Sequence, residues 1–197
     1  MGSAVSANDH NIPSQPRSQA PTVADVIADG TCRLSIVPEP PGVDAQLEPL
    51  LDTCFGADRR RTKTSYVLRQ GVPAIPGLSF AVFDGAKLVG SIRFWPVRIG
   101  AKQIPAILLG PLAVEPVRRG EGIGRALVKH GLAVAGKLGH RLCVLVGDRP
   151  YYEPFGFRSA PEAKLALPGP VDPDRLLVAE LAPGALKGVG GMIGRAP

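Results

Sequence analysis

The sequence predicts a mixed α/β fold, on three observations. Two alternating apolar stretches, 78–83 and 87–95, flank Asp84-Gly85, a favoured two-residue turn, and read as an antiparallel hairpin. Between 122 and 138, Ile123, Leu127, Val134 and Leu138, with Ala126 and Ala133 beside them, recur at the 3.6-residue period of a helix. The run 142–146 (LCVLV) is apolar throughout, as in a strand buried on both faces. A strand, this helix and that buried strand in succession favour parallel pairing of the two strands.

The other elements follow in chain order. Residues 34–37 form a short strand closed by Pro38 and the Pro40-Pro41-Gly42 punctuation. Val43, Leu47, Leu50, Leu51 and Cys54 then recur at helical spacing up to a stop at Gly56; Pro49 either kinks this helix or opens a shorter one near Glu48. Residues 59–70 make a weaker, basic helix, and Pro73, Pro76 and Gly77 mark a loop. The stretch 106–114 (AILLGPLAV) is a strand in which Gly110-Pro111 cannot sit regularly, so a bulge or splay is expected there. Gly139 ends the long helix, and His130 on its apolar face reads as a partly buried, satisfied histidine.

The 197 residues, 45% of them apolar, suffice for one domain with an ordinary core that needs neither disulfides nor a metal. With 24 Gly and 21 Pro, the soft segments concentrate at the ends: 1–32 and the glycine-rich 184–197 read as poorly ordered tails around a domain at 33–183. No apolar stretch is long enough to span a membrane and no secretory signal opens the chain, so a cytoplasmic protein without a membrane partner is expected. Cys32, Cys54 and Cys143 are odd in number and far apart, which suits reduced thiols, and the three histidines share no ligand spacing with them, so no metal is expected. The net charge of +6 points to an anionic ligand. With 5% aromatic residues and no basic–aromatic interleaving, no nucleic-acid partner is expected, and the run Arg59-Arg60-Arg61-x-Lys63 reads as a solvated face.

Several phosphate-binding patterns compete for the glycines after Val114. Gly120-x-Gly122 and Gly122-x-Gly124 lack the third glycine of a dinucleotide fingerprint, since Arg125 and Leu127 stand there. The segment from Gly131 to Gly136-Lys137 imitates a P-loop, yet Leu138 replaces the required Ser or Thr and the stretch lies late in a helix. Mere loop punctuation is a further reading. The fourth is Val114-x-Pro116-x-x-Arg119-x-x-Gly122-Ile123-Gly124 leading straight into the amphipathic helix. Residues without Cβ let a ligand approach the backbone, and the free N–H groups and positive dipole end of a first helical turn suit a pyrophosphate. Arg119 and Arg125 would add charge-assisted bonds.

In this last pattern the chain resembles the GCN5-related N-acetyltransferases (GNAT), whose acetyl-CoA motif is Arg or Gln, two residues, Gly, any, Gly or Ala. The resemblance includes Leu112-Ala-Val-Glu-Pro116 and Tyr152-Glu-Pro-Phe-Gly156-Phe157, similar to the family's Tyr-x-x-x-Gly-Phe segment, and covers about 33–160. Asp148 departs from the Asn many members carry. The resemblance implies a mostly antiparallel sheet with flanking helices, in which the family's fourth and fifth strands, here 106–114 and 142–146, form a parallel, splayed pair.

It also implies an acetyl-CoA-dependent N-acetyltransferase moving the acetyl group directly to an amine of an unidentified acceptor. Leu112, Ala113 and Val114 would align the pantetheine arm, while the turn Arg119, Gly120, Glu121, Gly122, Ile123, Gly124 and Arg125 would anchor the pyrophosphate. Tyr152, with Tyr151 as its rival, would protonate the departing thiolate. Glu115 would serve as base, beside the plainer reading of a solvated carboxylate. Tyr66 and Arg69 would contact the acceptor, favouring one with a carboxylate or phosphate near its amine. A non-catalytic CoA-binding regulatory module, a longer acyl-CoA or acyl-ACP donor, and a homodimer are alternatives left open.

Overall fold

The computed structural model describes residues 24–28, 32–62 and 64–197. Its strands are β1 (Ala24–Ala28), β2 (Cys32–Pro38), β3 (Ser79–Asp84), β4 (Lys87–Ile99), β5 (Ile104–Val114), β6 (Leu142–Val146), β7 (Arg158–Ser159), β8 (Leu165–Ala166), β9 (Leu176–Glu180) and β10 (Gly191–Arg195). The helices are α1 (Asp44–Phe55), α2 (Arg59–Thr62), α3 (Thr64–Val67), α4 (Ile123–Lys137) and α5 (Arg149–Tyr152). The sheet runs β1-β2-β3-β4-β5-β6-β9-β7, with β10 on the distal half of β4 and β8 on β10. Within the main path of the sheet only β5–β6 is parallel, through Ile107↔Cys143 and Leu108↔Val144; the peripheral β8–β10 pair is parallel too. The expected mixed fold, mostly antiparallel with a parallel pair, is therefore the observed one. Among the described residues no helix is long and apolar enough to cross a membrane.

Alternation along the strands gives each helix its own face. Phe80 and Val82 of β3 pack in the cluster with Ile123, Leu127 and Val128 of α4, whereas Ala81 joins Leu47, Leu50 and Leu51 of α1. In β6, Cys143 and Leu145 enter the first of these clusters, while Leu142 and Val144 join a third with Ile193. The run 142–146 is thus buried on both faces, as its composition requires. α1 runs unbroken through Pro49 because its three buried leucines lie in one register.

Four expectations need correction. The hairpin loop is Gly85-Ala86, one residue later than expected, since Asp84 pairs with Lys87 and Gly85 takes φ +56°. The inner face of α4 is Ile123, Gly124, Leu127, Val128, Gly131 and Ala135, and Leu138 is 55% exposed. The boundary at 32 fails because β1 pairs with β2 from Ala24↔Ile36 to Ala28↔Cys32; the rest of the proposed N-terminal tail, 1–23 and 29–31, lies outside the described residues. The glycine-rich C-terminus is no tail either: Ile193 is fully buried opposite Ile99 of β4. β4 outruns β3, and β10 satisfies the edge that remains.

The glycine at 131 is there for close packing. A Cβ built on it would lie 2.6 Å from Cε2 of Phe94, a ring with no exposure. In an open helix position Gly→Ala stabilises by about 0.5–1 kcal/mol. Here overpacking outweighs that gain, and Gly131→Ala is expected to destabilise by about 1–2 kcal/mol in urea denaturation. A higher midpoint would mean that Phe94 shifts freely.

Candidate active site

β5 holds the key irregularity. Ile92 of β4 faces Leu112 and Phe94 faces Leu109, so Gly110 and Pro111 together oppose Arg93 alone. This is the bulge expected at Gly110-Pro111, and the indole N–H of Trp95 pins it by donating to the Gly110 carbonyl at 2.7 Å. Beyond Leu108 the β5–β6 register ends, so the β6-facing edge of 109–112 opens onto a cleft of about 450 Å³. Leu109–Leu112 form one wall of it, and Val146–Asp148 with Tyr151 and Tyr152 the other. Phe55, Tyr66 and Arg69 close one end, and Arg175, paired with Asp148 at 3.2 Å, lies at its rim.

The tyrosines are placed by missing side chains. A Cβ at Gly147 would collide with the ring of Tyr152, which packs edge-on to Phe157 and Tyr151 with centroids 5.7 and 4.9 Å away. Burial, aided by Tyr151, Asp148 and Cys143, pushes the Tyr152 phenol well above its ordinary value. Tyr151 points elsewhere: its hydroxyl lies 2.6 Å from where a Cβ of Gly124 would stand, at the start of α4. Burial raises this phenol too, while Arg125 pulls it back.

The turn before α4 is open. Gly120 and Gly122 take φ of +93° and +83°, with no heavy atom within 4 Å of a Cβ at either, and no side chain caps the helix at Gly122. The first-turn N–H groups Ile123, Gly124 and Arg125 are therefore available to a ligand. Arg119 and Arg125 are exposed beside them, whereas Arg118 holds Glu121 at 2.7 Å. Leu112 and Val114 are partly exposed on β5 and Ala113 is buried against α1.

Glu115 is not brought to the cleft. Lys87 engages its carboxylate at the hairpin end of the sheet, and Glu115 lines neither cleft. Tyr66 and Arg69, in contrast, stand together between the first cleft and a second of about 490 Å³ lined also by Glu48, Arg60, Arg93, Trp95 and Pro111. The reading of Arg59 as a solvated residue is overturned. It is 2% exposed, bridges Glu48 and Asp52, and donates from Nε to the Tyr66 hydroxyl at 3.0 Å, so it orients Tyr66. Trp95 and Arg59 lie outside the expected site; the acidic Glu48 and Asp52 of α1 ahead of a basic run are the sequence signal for the second. His130 lies away from both clefts, edge-on to Phe80 at 4.6 Å.

The structure superposes on crystal structures of two acetyltransferases. One is the GNAT family N-acetyltransferase YhbS from Escherichia coli in complex with CoA, with TM-score 0.72 and 26% identity, covering 91% of this chain and 93% of that one. The other is a GNAT family acetyltransferase from Brucella melitensis in complex with acetyl-CoA, with TM-score 0.55 and 27% identity, covering 76% and 89%. The fold and its opened parallel pair are thus those of an acyl-transferring enzyme. The family model for the acetyltransferase (GNAT) domain matches residues 76–159, and the uncharacterized N-acetyltransferase YhbS of Escherichia coli (strain K12) is 32% identical over 161 residues, 82% of this chain and 93% of YhbS. The chain belongs to the GNAT family and is an N-acetyltransferase.

Proposed function

We propose that this enzyme transfers the acetyl group of acetyl-CoA to an amine held in the second cleft, with the donor laid along the open edge of β5. The observation that carries the reading is the β5 edge beyond Leu108, which has no β6 partner, followed by the uncapped turn at Gly120–Gly124, where Gly120 and Gly122 leave open space. That YhbS was crystallised with CoA and the Brucella melitensis relative with acetyl-CoA supports it. Acetyl-CoA supplies the activated acyl carbon. Backbone N–H groups of Leu112 and Val114, which alternation turns away from β4 while that of Ala113 faces Ser91, orient it, the N–H groups at the start of α4 with Arg119 and Arg125 hold its phosphates, and Tyr152 supplies a proton to the leaving sulfur. Calorimetry with acetyl-CoA and a thiol-release assay over an amine panel test this directly; absence of acetyl-CoA binding would overturn it.

Glu115 has no part in this scheme because Lys87 already holds it. Glu115→Gln is expected to leave kcat within about twofold, far from the roughly 10²–10⁴ that loss of an acid–base group costs. A fall of that larger size in the thiol-release assay would restore Glu115 as the base.

A further inference from the structure

Of the cations lining the two clefts, Arg69 alone has no carboxylate partner among the described residues. Arg60 meets Glu48 at 2.8 Å, Arg93 meets Glu39 and Asp44 at 2.7 Å each, and Arg175 meets Asp148 at 3.2 Å. Arg69 instead lies over two aromatic rings, with its guanidinium carbon 5.0 Å from the centroid of Tyr66 and 5.8 Å from that of Trp95. Its Nε is buried and finds no hydrogen-bond partner. Burial, offset in part by Tyr66, pulls its pKa down to about 10, which leaves it cationic at neutral pH. Aromatic faces return only part of what it costs to take a guanidinium out of water. The protein therefore keeps an uncompensated positive charge where its two clefts meet.

The donor's phosphates do not explain this charge. Arg69 stands beside Gly110, with Nη2 3.1 Å from the position of a Cβ there, whereas the turn that would hold phosphates follows Val114 at the other end of the open edge. Four residue steps separate Gly110 from Val114, roughly 13 Å at the usual rise per residue. The remaining anion is one that enters with the acceptor. A planar fork suits a carboxylate, which can take two parallel hydrogen bonds.

We propose that Arg69 is the carboxylate-binding residue of the acceptor cleft, so that the amine acetylated belongs to a small amino-carboxylate, an amino acid or a close relative. This rests on the acetyltransferase reading above, and it disfavours a lysine side chain inside a polypeptide, which carries no carboxylate near its amine.

Trp95 is the single tryptophan of the chain and lies under Arg69, so its fluorescence reports the site without turnover. N-acetylglycine and N-acetylglycinamide, which differ only in carboxylate against carboxamide, are titrated into the protein. The acid is expected to give a saturable change with a Kd roughly 10–100-fold below that of the amide, the range of a charge-assisted bond. Arg69→Leu should abolish that difference without lowering the melting temperature, because it removes an unpaired buried charge; a purely structural arginine would lower it. Arg69→Lys should recover part of the preference through its point charge. In the thiol-release assay, free amino acids should exceed their carboxamides in kcat/KM, with the advantage lost in Arg69→Leu through KM. Equal response to acid and amide, or a preference that survives Arg69→Leu, overturns the proposal. If the fluorescence preference holds while no amine is acetylated, the carboxylate site stands and the transferase reading is the part that falls.

Discussion

Tyr152→Phe is expected to lower kcat by roughly 10²–10⁴ while leaving acetyl-CoA affinity nearly unchanged. The ring is the structural part of this residue: it fills the space left by Gly147 and packs on Phe157, and phenylalanine keeps both contacts. The hydroxyl is the chemical part. A thiol titrates near ~8.5 and a free phenol near ~10, so a tyrosine can hold its proton until the leaving sulfur gains charge. Burial raises the Tyr152 phenol further, which favours the neutral, proton-bearing form. The sign follows: an acid must be protonated to act, so an upward shift widens its working range, and Tyr152 should cause no alkaline loss of activity below pH ~10. Tyr151→Phe is the matched control. Its hydroxyl faces Gly124 and feels Arg125, so its loss should weaken donor binding more than turnover. If Tyr151→Phe abolishes turnover and Tyr152→Phe does not, the acid is Tyr151; if neither matters, thiolate release needs no tyrosine.

What could be read in advance followed from periodicity. The hairpin, α4 and β6 each announce themselves through an alternation, a 3.6-residue repeat or an unbroken apolar run, because burial of one stripe, one face or both faces dictates those patterns. The errors fall where glycine replaces a side chain as the buried group. Gly124 and Gly131 belong to the inner face of α4, but a count of apolar side chains passes over them and reaches out to Leu138. β10 is similarly hidden, since Gly190, Gly191 and Gly194 surround the one buried Ile193. Charge pairing is hidden for a different reason. Arg59 is buried because Glu48 and Asp52 wait on α1, and Glu115 is turned from the cleft because Lys87 lies across the sheet. Such pairings depend on tertiary approach, which local pattern does not encode. Tyr66 and Arg69 could be named from their place between α1 and the hairpin; that Trp95 joins them could not.

Gly122→Val is expected to weaken acetyl-CoA binding by roughly 10–100-fold, the equivalent of one or more charge-assisted hydrogen bonds. Gly122 has φ +83°, a conformation that costs a β-branched residue about 1–3 kcal/mol of strain. Apart from its own chain neighbours no protein atom lies within 4 Å of its absent Cβ, so the fold does not fill that space and a ligand approaching the backbone would. Valine acts twice, by bulk on the open side and by turning aside the N–H groups that begin α4. Gly136 supplies the comparison within the same helix. It too has nothing within 4 Å of a Cβ, but its φ is ordinary and it lies near the C-terminal end of α4, far from the turn. Gly136→Ala should therefore retain full affinity and gain about 0.5–1 kcal/mol of stability. Calorimetry on the folded variants separates the two effects, circular dichroism having shown that α4 is intact. Equal acetyl-CoA affinity in Gly122→Val and Gly136→Ala would remove the turn at Gly120–Gly124 from the donor site.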